Sequence, residues 1–221
     1  IEADLSTRPE KSIGNNDDWE KATNSLKSAL ENQNISYVTA HGEGAFYGPK
    51  IDLHVKDAIG RRWQLSTIQV DFAQPDNFDL QFVDSNNKRV KPVMIHRALL
   101  GSIERFTGIL IENYAGEFPG WLSPVQVKVL TIGDVSNYVN KIIKSLKGFR
   151  YEVDDRNLRL GEKLHDASKD KVPITLIVGE KDELSNTLAI NIRSQDNQQN
   201  VKYEDAIKQI KANLKKPIFK I

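Results

Sequence analysis

Apolar positions along the first half of the chain recur in two distinct rhythms. Ile1 to Leu5 has strand character and ends in the polar turn Ser6-Thr7-Arg8-Pro9-Glu10. Trp19, Ala22, Leu26, Ala29 and Leu30 follow at helical spacing, with Asp17 as N-cap, Glu20 completing a capping box, and Asn32 to Asn34 as the stop. Ile51, Leu53 and Val55 then alternate with Asp52, His54 and Lys56, the period-two pattern of a half-buried strand. Asp57 to Arg61 reads as a hairpin turn around Gly60, and Trp63 to Phe72 as the returning strand. Regular pairing would point Gln64 and Gln69 to opposite faces. After the polar turn Asp84–Asn87 comes a strand over Val90–Ile95, then an amphipathic helix opening at Gly101-Ser102-Ile103-Glu104-Arg105-Phe106. Successive strands followed by a helix predict an α+β domain built on an antiparallel sheet.

Past the Gly/Pro-rich segment Gly116 to Pro124 the pattern changes. Strands at Val125–Ile132, Tyr151–Val153, Ile174–Val178 and Leu188–Ile192 alternate with helices marked by Tyr138/Ile142/Ile143/Leu146, Leu160–Lys171 and Tyr203–Leu214. Gln195 to Asn200 reads as a polar hairpin tip. The near-continuous apolar run Ile174–Val178 suits a strand covered on both faces. This predicts a small α/β mixed sheet, and we place the two domains at 1–119 and 120–221.

Composition describes a globular chain: 39% hydrophobic and 28% charged in 221 residues. No apolar run is long enough to cross a bilayer and no signal peptide opens the chain, which points to a cytoplasmic protein without a membrane partner. The absence of cysteine excludes disulfides and thiolate ligands within the chain. The net charge of +1 hides an asymmetry: 13 basic against 17 acidic residues up to Gly120, and 18 against 13 beyond it. A basic C-terminal half suits a polyanionic partner as well as a solvated lysine-rich surface.

The chemistry concentrates in Glu43-Gly44-Ala45-Phe46-Tyr47-Gly48-Pro49-Lys50-Ile51-Asp52-Leu53. With Gly42, its three glycines in seven residues allow a close backbone approach to a ligand, and Pro49 stiffens the exit from which Tyr47 and Lys50 project. Trp63-Gln64, Gln69-Val70-Asp71 and Val93-Met94-Ile95-His96-Arg97-Ala98 follow in order, then Gly101 to Phe106. Each alone reads at least as well as a connector, sheet polarity, a structural histidine or a helix-surface ion pair, and a lone histidine is more often structural. Together they resemble the threonyl-tRNA synthetase family of class II aminoacyl-tRNA ligases over nearly the whole chain.

That resemblance implies roles. His96, in the Met-Ile-His-Arg-Ala motif, would supply one of three protein ligands to a zinc that grips threonine, with two ligands expected upstream. A site demanding a hydroxyl rejects the isostere lacking it. Arg105 would be the motif 3 arginine that clamps ATP, which enters with Mg, and Glu104 would orient it. Ser102 fits the family pattern at this motif, whereas Leu100 departs from the general class pattern. Gln64 and Thr67 would border the adenosine, Tyr47 and Gln69 the threonine, and Lys50 a phosphate or carbonyl oxygen. Leu65-Ser66-Thr67 stands where many relatives carry Cys-Gly-Thr. In the second domain, Asp155-Arg156-Asn157, Lys163 and Gly179 to Glu183 resemble the anticodon-binding module. There Asn157, Asp182 and Glu183 would read base edges, Lys163 would meet phosphates, and Arg193 would contribute where relatives carry an arginine at Asn191.

The expected activity is ATP-dependent ligation of threonine to tRNA(Thr) by a homodimeric parent enzyme. Class II motifs 1 and 2 are not within the chain, so the polypeptide alone is expected not to turn over. A non-catalytic tRNA-binding paralogue and an unrelated two-domain α/β binding protein are the alternatives.

Overall fold

Two units, Ile1–Asn113 and Tyr114–Ile221, divide the computed structural model, which describes residues 1–218. In the first, a five-stranded sheet has the order β2-β1-β3-β4-β7, from β1 (Glu2–Ser6), β2 (Tyr37–Ala40), β3 (Lys50–Lys56), β4 (Arg62–Asp71) and β7 (Met94–Ala98). All its neighbours are antiparallel except β1–β2. The α+β class expected from the sequence is the class observed. Helix α1 (Asn16–Asn32) buries Trp19, Leu26 and Leu30, and the last two join Leu5, Ile51 and Val70 in one core. Its cap is Asn15, whose side chain accepts from the Asp18 amide, so the helix starts earlier than an Asp17 cap would place it.

Three shorter elements complete the unit: α2 (Ala73–Asn77), the small hairpin β5 (Phe82–Val83) with β6 (Arg89–Val90), and α3 (Ile103–Tyr114). The strand expected over 90–95 is broken at Lys91-Pro92-Val93, because proline cannot donate to a ladder. The hairpin joining β3 to β4 is bound by Asp57, whose carboxylate accepts from the Ile59 and Arg61 amides, Arg61 Nε and Trp63 Nε1. Burial would raise this carboxyl, but these donors outweigh burial and hold it at about 2.

The glycines of the 42–48 segment are needed for a reason other than ligand approach. A Cβ on Gly48 would lie 1.9 Å from Val70 O, and one on Gly44 2.5 Å from Thr7 O. These two turns are pressed against the protein's own backbone.

The second unit carries the sheet β12-β11-β10-β8-β9, made from β8 (Val127–Ile132), β9 (Tyr151–Asp154), β10 (Ile174–Gly179), β11 (Thr187–Ile192) and β12 (Gln198–Lys202). β10, β8 and β9 are parallel, and β11 and β12 antiparallel. Strand β12 starts at Gln198, inside the segment read as a hairpin tip. Helices α4 (Ser136–Ser145), α5 (Leu160–Lys169), α6 (Glu180–Ser185) and α7 (Tyr203–Asn213) alternate with the strands. Val129, Ile142, Leu176, Leu188 and Ile210 lie in one core and are 0% exposed. Thr175 interrupts the run Ile174–Val178 yet is buried like Ile174 and Leu176 beside it, so the strand is covered on both faces.

Candidate functional site

The first candidate site is one face of the β3–β4–β7 sheet. Register places Lys50 opposite Gln69, and Gln69 opposite His96, so three strands present one row of polar side chains. Neighbouring strands lie about 4.8 Å apart, so such a row spans a small ligand. The adjacent row pairs Asp52 with Thr67.

A bulge completes this face. The β3–β4 register steps between Leu53↔Ser66 and His54↔Gln64, which leaves Leu65 without a partner. An extra residue reverses the side-chain alternation beyond it. Gln64 therefore joins Thr67 and Gln69 on one face, contrary to the opposite-face expectation, and its Nε2 donates to Thr67 Oγ1 at 3.0 Å. Leu65 itself is buried.

Buried Asp52 is the centre of this group, and sequence reading had treated it as ordinary strand polarity. Its Oδ1 accepts from Gln64 Nε2 at 2.5 Å and Thr67 Oγ1 at 2.6 Å, while Oδ2 accepts from Lys50 Nζ at 2.6 Å. The lysine, amide and hydroxyl singled out from the sequence are thus held by one carboxylate. Tyr47 donates its hydroxyl to Gln69 Oε1 at 3.0 Å, which leaves the Gln69 amide nitrogen as a directed donor.

His96 is held from behind. Its Nε2 lies 2.6 Å from Asp71 Oδ2, and Asp71 Oδ1 accepts the Ala73 and Gln74 amides at the start of α2. Burial alone would raise the Asp71 carboxyl, but the amides and His96 together keep it below its ordinary value. A carboxylate on one ring nitrogen orients the imidazole and leaves the other, Nδ1, as acceptor, an arrangement that suits a metal ligand. Among the described residues no group of three or more His, Cys, Asp or Glu side chains converges on one point.

Arg105 stands in the first turn of α3, its amide bonded to Ser102 Oγ. Its guanidinium lies 5.7 Å from the Trp63 ring centroid and donates to Gln64 O at 3.3 Å. Glu104 does not orient it: hydrogen bonds from its own backbone and from Ser102 hold that carboxyl below its ordinary value. Ser66 donates its hydroxyl to Ala98 O on β7.

The second candidate site is a cavity of about 890 Å³ at the C-terminal ends of β8 and β9, where open parallel sheets bind ligands. The loops after the two strands wall it, through Gly133, Asp134 and Ser136 on one side and Arg156, Asn157 and Arg159 on the other. Asn157 and Arg159 are exposed there. Arg156 bridges Asp154 and Asp166 at 2.6 and 2.8 Å, and this pairing holds both carboxyls below their ordinary values.

Three side chains nominated for RNA contact are engaged elsewhere. Lys163 is only 2% exposed and its Nζ donates to Thr131 O at 2.8 Å and Asp154 O at 3.1 Å. Asp182 caps α6, accepting from Gly179 N at 3.0 Å. Arg193 donates to the carbonyls of Lys171, Glu117 and Phe118. It follows β11 at the Ile174↔Ile192 end of the sheet, five residues from the Gly179↔Ile132 end that carries the cavity, roughly 16 Å away. Glu183 is half-buried on α6.

Comparison with known proteins now bears on these two sites. Residues 4–114 match the tRNA synthetase class II core domain (G, H, P, S and T), and residues 126–213 the anticodon binding domain. The chain belongs to the class II aminoacyl-tRNA synthetases. It is 53% identical over 195 residues to the threonine–tRNA ligase of Clostridium tetani, covering 87% of this chain and 30% of that protein. It is 47% identical over 221 residues to that of Clostridium acetobutylicum, covering 99% and 35%. The chain thus spans about a third of the length of the curated relatives it matches. Among solved structures, the RNA binding domain of threonyl-tRNA synthetase from Cryptosporidium parvum Iowa II aligns with TM-score 0.85 at 32% identity, covering 96% of this chain and 55% of that one. A putative threonyl-tRNA synthetase ThrRS-1 from Aeropyrum pernix aligns with TM-score 0.69 at 28% identity, covering 96% and 54%.

Proposed function

We propose that this chain is the C-terminal part of a threonine–tRNA ligase, with the end of the catalytic core in residues 1–119 and an anticodon-binding domain in 120–221. The observation that carries the reading is the row Lys50–Gln69–His96 on a class II sheet face, with Tyr47 aiming the Gln69 amide. The reaction is activation of threonine by ATP, in which the amino-acid carboxylate displaces pyrophosphate, followed by transfer to the terminal ribose hydroxyl of tRNA(Thr) with release of AMP.

The residues divide this work by their chemistry. Tyr47 and Gln69 hold the amino acid, and His96, kept in one tautomer by Asp71, would be this chain's ligand to a zinc ion whose other ligands are expected outside these residues. Bound there, zinc supplies a Lewis acid that selects an amine and a hydroxyl over a methyl group. Gln64 and Thr67 face the adenosine, with Ser102 at the turn that sets Arg105. The Arg105 fork meets the polyphosphate of Mg-ATP, and Lys50 neutralises charge beside it. Asn157, with Glu183 near the same sheet end, faces the anticodon. The intact protein is a cytoplasmic homodimer in this reading. Among the described residues no helix is long and apolar enough to cross a membrane.

A chimera tests the reading: this segment replaces the matching 195 residues of the Clostridium tetani enzyme. Threonine-dependent pyrophosphate exchange and tRNA charging should be retained, and Arg105→Ala should depress exchange far more than tRNA binding. A correctly folded chimera without exchange would remove the ligase assignment and leave a non-catalytic tRNA-binding protein.

A further inference from the structure

Lys163 has a role that a solvent-facing cation cannot fill. The last β8–β9 pair is Leu130↔Asp154, and beyond it the strands part into the loops that wall the cavity. Lys163 reaches from α5 into this fork, its ammonium bonded to the Thr131 and Asp154 carbonyls, one from each strand. Thr131 Oγ1 also reaches the Asp154 carbonyl, at 3.4 Å. Burying an ammonium is costly unless it is hydrogen-bonded, and here one carbonyl from each strand accepts from it. On the far side of the same residue, Arg156 grips the Asp154 carboxylate and ties it to Asp166 of α5. The strand end that launches Asn157 is therefore held through its carbonyl by Lys163 and through its side chain by Arg156.

We infer that Lys163 is a positioning residue: by joining the ends of β8 and β9 it sets the separation of the two cavity walls before RNA arrives, and it contacts no phosphate. Only the last readout below rests on the anticodon reading.

Three measurements on the full chain decide this. In the folded wild-type chain Lys163 should resist acetic anhydride under conditions that label the exposed lysines, with or without tRNA. Lys163→Met should speed amide exchange by about tenfold in residues 132–135 and 155–158, and much less in β10 and β11, because only the charge-assisted bonds at the fork are lost. Because the chain has no cysteine, Lys163→Cys adds a single thiol, and aminoethylation of that thiol in urea before refolding should restore the protection. Against tRNA(Thr), Lys163→Met should shrink the preference over an anticodon-swapped tRNA by about tenfold while the salt slope stays unchanged, since no phosphate contact is lost. Ready acetylation of Lys163 in the folded chain, unchanged exchange in the two loops, or a slope reduced by about one unit would each overturn the inference. Should Lys163→Met fail to fold, the acetylation result still decides. A wild-type chain indifferent to the anticodon would remove the anticodon reading, while loop exchange would still judge the positioning role.

Discussion

Replacing Asp52 with Asn tests whether one carboxylate organises the polar face of the first unit. The substitution keeps the shape and retains an Oδ1 acceptor for Gln64 and Thr67, but both bonds become neutral. A charge-assisted bond contributes about 1.5–3 kcal/mol and a neutral one about 0.5–1.5, so each bond weakens by about 1 kcal/mol. The new Nδ2 would face Lys50 Nζ, donor against donor. Lys50 is 23% exposed and can turn to water, which limits that loss to about 1 kcal/mol. The expected cost is therefore about 2–3 kcal/mol. Urea unfolding followed by tryptophan fluorescence reads it: the chain has three tryptophans, and Trp121→Phe leaves only Trp19 and Trp63, both in the first unit. A double-mutant cycle with Lys50→Met should show a coupling of about 1 kcal/mol, because removing the ammonium removes the conflict. A loss below about 0.5 kcal/mol, or additive single effects, would show that Asp52 does not organise the face.

Arg193→Met should destabilise the second unit by about 2 kcal/mol, since it frees three backbone carbonyls, and leave any anticodon preference of the folded chain unchanged in tRNA titrations. Ile142→Ala, at a fully buried position in the core of the second unit, should cost about 3 kcal/mol in denaturant unfolding, and a cost under about 1 would mean the core collapses around the deletion. Asp57 has a folded pKa of about 2 against an ordinary 3.8. Because the folded value is depressed, its contribution to stability is present above about pH 4 and is lost as pH falls toward 2. Amide exchange in the hairpin 57–61 should follow that window in the wild type and lose the dependence in Asp57→Asn; an unchanged profile in the variant would refute the assignment. The 221-residue chain by itself should show no threonine-dependent pyrophosphate exchange, and robust exchange would contradict the division of the site proposed above.

The sequence alone determined the elements with a strong local pattern. Period-two alternation from Ile51 to Val55, the apolar run from Ile174 to Val178 and helical spacing from Trp19 to Leu30 are local properties, and the structure has strands and a helix there. Candidate chemistry is legible as residue types in order: Tyr47, Gln64, Gln69, His96 and Arg105. Where each side chain points was not legible, because that depends on partners distant in the chain. A one-residue bulge at Leu65, set by pairing with β3, turned Gln64 onto the face of Gln69. Asp52 looked like strand polarity until Lys50, Gln64 and Thr67 met on it, and Asp71 became a histidine anchor only through a contact 25 residues away. Gly44 and Gly48 looked like room for a ligand, yet their missing side chains accommodate Thr7 and Val70. Lys163 and Arg193 read as cations for RNA because charge is a property of the residue. Burial is a property of the fold, and tertiary packing turned both inward onto backbone carbonyls, where an unpaired charge could not have remained.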